Sequence, residues 1–122
     1  MTIRFVIPAL LALLASLPVS AQQTGMNGTG AILRSMDKIS GDVLDFELGA
    51  QQTKKIGRIQ VTVTECRYPA SNPTGEAFAH LVIRNEGIVD PIFQGWMIAS
   101  SPALNAVDHA RYDVWVLRCT TS

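Results

Sequence analysis

The feature that most constrains this chain is a strict alternation of apolar and polar residues, a period of two that only a half-buried β-strand satisfies. Arg58–Cys66 carries it most clearly: Ile59, Val61 and Val63 fall on one face, Gln60, Thr62 and Thr64 on the other, and Cys66 shares the second face. Leu44, Phe46 and Leu48 alternate with Asp45 and Glu47, and Tyr112, Val114 and Val116 alternate with Trp115 and Leu117 on the way to Cys119. Glu76–Arg84 is apolar on both faces, Ala77, Ala79, Leu81 and Ile83 against Phe78, His80, Val82 and Arg84, which predicts a central strand covered on two sides. It pairs in this reading as an antiparallel hairpin with Ile92–Ala99. There Pro91, lacking a ladder donor, belongs at a strand start or edge, and Gly95 beside Trp96 marks a bulge or a close backbone approach.

Between these runs lie turn and loop signals. Residues 22–30 (QQTGMNGTG) are polar and glycine-rich and read as a disordered leader. Ala31–Ile39 is an approach segment, extended or a helical turn, Gly49–Lys55 a polar connection and Pro69–Gly75 a loop. Ser101 can cap a helix that Pro102 opens, so Ala103–His109 is predicted to make two turns with Leu104 and Val107 inward and His109 near its C-terminal end. Residues 31–122 are therefore expected to form a single all-β domain, a small antiparallel β-sandwich or barrel of about five to seven strands with one short helix.

The N-terminus sets the compartment. Arg4, the apolar run Phe5–Leu17 and the small residues Val19-Ser20-Ala21 have the order of a signal peptide over residues 1–21, cleaved after Ala21. No cysteine follows the cleavage site to carry a lipid, and no later stretch reaches the roughly 18 apolar residues of a membrane span, so no span is expected in the mature chain. Without Arg4 the ten acidic residues exceed the basic ones by one, with the signs interleaved, which gives no footprint for nucleic acid. Export takes Cys66 and Cys119 into an oxidising space, where the lone pair is expected to form a disulfide; two buried free thiols are the alternative. The bridge would close a loop of about 54 residues and contribute roughly 4 kcal/mol.

No residue set amounts to a catalytic signature. Ser100, Ser101, Asp108 and His109 come nearest to a hydrolase. A nucleophilic serine needs a base in reach and usually a sharp elbow, whereas these serines precede a proline and read as a helix cap. His80 has no second ligand at zinc spacing, and Asp42, Asp45 and Glu47 are too sparse for calcium. Asp37, Asp42, Asp45, Glu47, Asp90 and Asp113 offer carboxylate pairs for glycoside cleavage, none singled out by spacing. No catalytic, metal or cofactor residue is assigned.

The denser signal is aromatic. Trp96, Met97, Ile98, Pro102, Leu104, Tyr112 and Trp115 include both tryptophans of the chain. They read either as core or as anchors of a partner surface. The candidate partner surface is Trp96, Met97, Ser100, Ser101, Pro102 and Leu104, with Asp108, His109 and Tyr112 beside it.

Leu33-Arg34-Ser35-Met36-Asp37-Lys38-Ile39-Ser40-Gly41, Cys66, Gly95-Trp96-Met97-Ile98-Ala99-Ser100-Ser101-Pro102-Ala103-Leu104 and Tyr112-Asp113-Val114-Trp115-Val116-Leu117-Arg118-Cys119 together resemble the exported α-proteobacterial proteins grouped as domain of unknown function 2155. The likeness covers nearly all of residues 22–122; only the loop Tyr68–Gly75 looks shorter than the family's proline-rich version. The resemblance implies a periplasmic product and brings no cofactor or catalytic residue. It further implies a partner at respiratory complex I, near whose accessory factors relatives are encoded. The expected function is thus a non-catalytic accessory domain that binds an envelope protein, such as the periplasmic face of that inner-membrane complex. The rival readings are a periplasmic ligand- or glycan-binding module and a small wall-polymer hydrolase.

Overall fold

The computed structural model describes residues 25–121, so the signal peptide expected at residues 1–21 lies outside the described residues. Eight strands follow in order: β1 Gly25–Asn27, β2 Gly30–Asp37, β3 Val43–Gly49, β4 Gln52–Ile56, β5 Ile59–Pro69, β6 Phe78–Asn85, β7 Pro91–Ile98 and β8 Tyr112–Thr120. One 3-10 turn, Pro102–Leu104, precedes β8. All pairings are antiparallel, as expected. A smaller sheet runs β3-β2-β8; a larger one runs β1-β5-β6-β7, with β4 also paired to β5. β5, eleven residues long, holds β4 along Ile59–Val63 and β1 along Arg67–Pro69 on the same edge.

The core forms where the inward faces of the two sheets meet. Ile59, Val61, Val63, Leu81, Ile83 and Met97 come from the larger sheet, Leu33, Val114 and Val116 from the smaller, all nearly without solvent contact. β-branched residues at every second position suit a pleated surface buried on one side. β6 is central in its sheet, but only its Ala79–Leu81–Ile83 face is covered by the other sheet; Phe78 on the opposite face is 36% exposed. The expectation of cover on two sides holds only in part: on that outer face Val82 is buried, whereas Phe78 lies open.

Cys66 departs from the simple alternation. A bulge between Val63 and Glu65 inserts one extra residue in β5 against β6, so Cys66 turns to the core side rather than joining Gln60, Thr62 and Thr64. β8 has the same device: Val116 pairs with Leu33 but Arg118 pairs with Ile32, and the extra residue brings Cys119 inward. The two sulfurs are joined in a buried disulfide with Cα atoms 5.6 Å apart, linking the two sheets.

Three further expectations are revised. Residues 25–27 of the segment read as a disordered leader form β1, and the chain then crosses between sheets at the disulfide: Gly28 N donates to Cys66 O at 2.7 Å and Thr29 N to Thr120 O at 2.8 Å. The polar connection after Gly49 contains β4, whose two-residue turn to β5 needs Gly57 at φ +55°, where a Cβ would meet the Tyr112 hydroxyl. The predicted helix over Ala103–His109 shortens to the single 3-10 turn, and Ser101 makes no side-chain cap. Side chains there engage backbone groups of the flanking segments instead. The Asn105 amide donates to Trp96 O at 2.7 Å, and His109 Nδ1 accepts from the backbone N–H of Arg111 and Tyr112. Val107 is buried as expected, whereas Leu104 is 75% exposed.

Candidate functional site

Residues 99–111 carry the chain from β7 to β8, and their local bonding decides which side chains reach solvent. Ser100 fastens the start: its hydroxyl donates to Glu76 Oε2 at 2.5 Å and its N–H to Glu76 Oε1 at 3.1 Å, while Ala99 N donates to Ala77 O. The Ser100 hydroxyl, then the backbone N–H groups of Ala77 and Ser100, hold the Glu76 carboxyl below its ordinary pKa. Leu104 N closes onto Ser101 O, and Asn105 ties the turn to β7. At the far end the Lys38 ammonium donates to His109 O, and Arg111 meets Asp37 Oδ2 with Nε at 3.0 Å and Nη2 at 2.9 Å. Those Arg111 bonds, followed by backbone N–H groups of Ile39 and Ser40, lower Asp37 to about 2. The loop is pinned to both sheets and presents Pro102, Ala103 and Leu104 outward.

Trp96 lies beside this turn on the outer face of the larger sheet. Inward Met97 fixes the parity of β7, so Gln94, Trp96 and Ile98 point away from the core. The register sets two rows across β5, β6 and β7: Arg67–Phe78–Ile98, and next to it Glu65–His80–Trp96. The His80 and Trp96 rings meet edge-on at 5.3 Å, and His80 Nδ1 lies 2.6 Å from Thr64 Oγ1. Trp96 is 39% exposed. A groove of about 410 Å³ follows this face, lined by Gly25, Arg67, Phe78, Trp96 and Ile98.

The structure divides the residues expected at the partner surface. Trp96, Ser100, Pro102, Leu104 and Asp108 are exposed, and Ser101 and His109 partly so. Met97 and Tyr112 are buried, at 2% and 4% exposure, and are removed from the surface; Tyr112 instead packs in the core while its hydroxyl accepts from Arg58 N. The tryptophans also separate, because Trp115 points outward from β8 on the other sheet, beside Pro102, Ala103, Ala106 and Asp113. The serine set does not assemble: Ser100 bonds Glu76, and His109, with Nδ1 occupied by backbone N–H groups, directs Nε2 to Asn85 Oδ1 at 3.1 Å. Among the described residues no three His, Cys, Asp or Glu side chains gather as a possible metal set, and no helix is long and apolar enough to cross a membrane.

Sequence reasoning placed Ile98 with Trp96 but missed Phe78 and Arg67 as their neighbours. The signal for Phe78 was its place on the second apolar face of Glu76–Arg84, a face expected to be covered.

A family model described as an uncharacterized protein conserved in bacteria (DUF2155) matches residues 31–119, from the second residue of β2 to the bridged Cys119. No curated protein and no solved structure gives a significant match.

Proposed function

Since the chain belongs to the DUF2155 family, we propose that it is an exported, non-catalytic accessory domain that binds another protein of the cell envelope through the exposed residues of the segment Trp96–Leu104. The observation that carries this reading is Leu104, a large apolar side chain 75% exposed on a loop that Ser100 and Asn105 fasten at both sides. An anchor held in place before binding loses little conformational freedom on docking, and buried aromatic and aliphatic anchors dominate interface energies. The buried Cys66–Cys119 bridge is compatible with an oxidising compartment, and the signal-like order of residues 1–21 favours the periplasm. The partner that the α-proteobacterial resemblance supplies is the periplasmic face of the respiratory NADH:quinone oxidoreductase. The bonding of Ser100 to Glu76 and of His109 to Asn85 favours binding over serine chemistry.

Affinity purification of a tagged protein from membranes, with and without Leu104→Asp, tests the reading. The parent is expected to retain discrete partners that the variant loses; the same set from both removes this surface. A second reading, a glycan- or small-ligand module, draws on the groove beside Trp96, and saturable quenching of tryptophan emission by glycans would favour it.

A further inference from the structure

We infer that the groove at the Arg67 end of the outer face takes an extended acidic segment of the partner, with a carboxylate against Arg67 and an apolar side chain against Phe78 and Trp96. This rests on the protein-binding reading above and names the chemistry of the partner.

Three observations carry it. The first is shape. The groove of about 410 Å³ is met by a second of about 210 Å³ that shares Gly25, Arg67 and Phe78 and adds Tyr68 and Pro69. The two hollows flank the same Arg67 and Phe78 side chains, so one chain segment lying across both touches the cation and the ring. Among the described residues nothing stands within 4 Å of where a Gly25 Cβ would be.

The second is charge. The ion pairs among the described residues join Arg34 to Asp45, Lys55 to Glu86 and Arg111 to Asp37, so among them Arg67 has no carboxylate partner. Its Nε donates to Asn27 Oδ1 at 3.3 Å, a neutral acceptor that steadies the guanidinium and leaves its terminal nitrogens for a planar two-oxygen acceptor. Glu65 shares the outer face but sits in the neighbouring row, opposite His80, without an ion pair to Arg67.

The third is apolar cover. Phe78 and Ile98 stand in the same row as Arg67, and Trp96 in the next. Adjacent strands are about 4.8 Å apart, so the cation and the aromatic surface lie within the span of neighbouring side chains on one extended peptide.

The test uses the natively isolated oxidised protein in a Trp115→Phe background, which leaves Trp96 as its only tryptophan. The probes are a synthetic peptide alternating leucine and aspartate, and the same peptide with asparagine for aspartate. The aspartate peptide is expected to shift Trp96 emission saturably and to weaken with added salt. The asparagine peptide and Arg67→Gln are each expected to bind about tenfold less tightly. Asn27→Asp, which sets a carboxylate beside Arg67 from within, is expected to give the same loss and guards against a folding defect in Arg67→Gln. Equal affinity for the two peptides, undiminished binding by Arg67→Gln, or an emission shift on protein dilution alone, meaning that a second copy fills the groove, overturns the inference. If Leu104→Asp loses the envelope partner while the aspartate peptide fails to bind, the protein-binding reading stands and this assignment alone falls.

Discussion

Cys66 and Cys119 each lie three residues beyond the last core valine of their strands, Val63 and Val116, and in each strand a bulge between valine and cysteine turns the thiol inward. Strict alternation would have placed both side chains on outer faces of opposite sheets, beyond the reach of a disulfide. Two matched bulges therefore make the cross-link possible. Gly28 and Thr29 bond the backbone of Cys66 and Thr120 at the same place, so the bridge and the β1–β2 crossover fasten one end of the sandwich together.

Replacing both cysteines by alanine is expected to lower stability by about 4 kcal/mol, from the freedom regained by a loop whose ends are 53 residues apart. Denaturant unfolding of parent and variant, both checked by mass for the bridge, measures it.

The crossover allows a comparison of two nearby glycines. A Cβ on Gly28 would stand 2.7 Å from Thr120 O and 3.0 Å from Cys119 Cβ, while among the described residues one on Gly25 meets nothing within 4 Å. Gly28→Ala is expected to cost about 1–3 kcal/mol from overpacking. Gly25→Ala should stay within about 0.5 kcal/mol of the parent in the same assay.

Leu104 and Leu81 separate the surface from the core. Leu81→Ala removes a fully buried side chain from β6 and should cost about 2–5 kcal/mol. Leu104→Ala and Ser101→Ala are expected to change stability by no more than about 0.5 kcal/mol, since the leucine is exposed and the serine caps nothing. A Leu104→Ala loss comparable to that of Leu81→Ala would mean that residue 104 packs inward after all.

Acid sensitivity follows from Asp37. Arg111 holds its carboxyl at about 2, below the unfolded value of about 3.9, so in that window the unfolded chain binds more protons than the folded one. The stabilisation is fully present above about pH 4 and is lost as pH falls toward about 2. Asp45, lowered by Arg34, and Glu76, lowered by Ser100, add to the same limb. Unfolding midpoints measured from neutral pH downward should fall less steeply for Asp37→Asn than for the parent; parallel curves would remove the pair from the acid response.

Much of this fold was legible in the chain because alternation survives wherever one face packs on the other sheet. Ile59, Val61 and Val63, and likewise Val114 and Val116, announce their strands and their inward faces. β4 was hidden because the chain of Gln52, Thr53, Lys54 and Lys55 is exposed throughout and is strand only through its ladder to β5. β1 was hidden for the same reason, three exposed residues held by pairing with β5. The bulges leave no mark in composition, so the inward turn of Cys66 could not be read. The helix signal of Ser101 and Pro102 was real but too short to prevail against Asn105 and His109, whose side chains engage the backbone instead. Of the candidate surface residues, Trp96 is exposed, and so is Leu104, against the inward side its helix reading gave it; Met97 and Tyr112 are buried, because a cluster in sequence does not state which face each residue takes.

Site-specific photo-crosslinking in the living cell tests the central claim most directly, with a photoreactive residue at position 104 and, as an equally open control, at Val89 in the β6–β7 turn, itself 85% exposed. Discrete envelope-protein adducts are expected from position 104, and none of the same mass from position 89. Identical adduct patterns from both positions, or none from position 104, would contradict the claim.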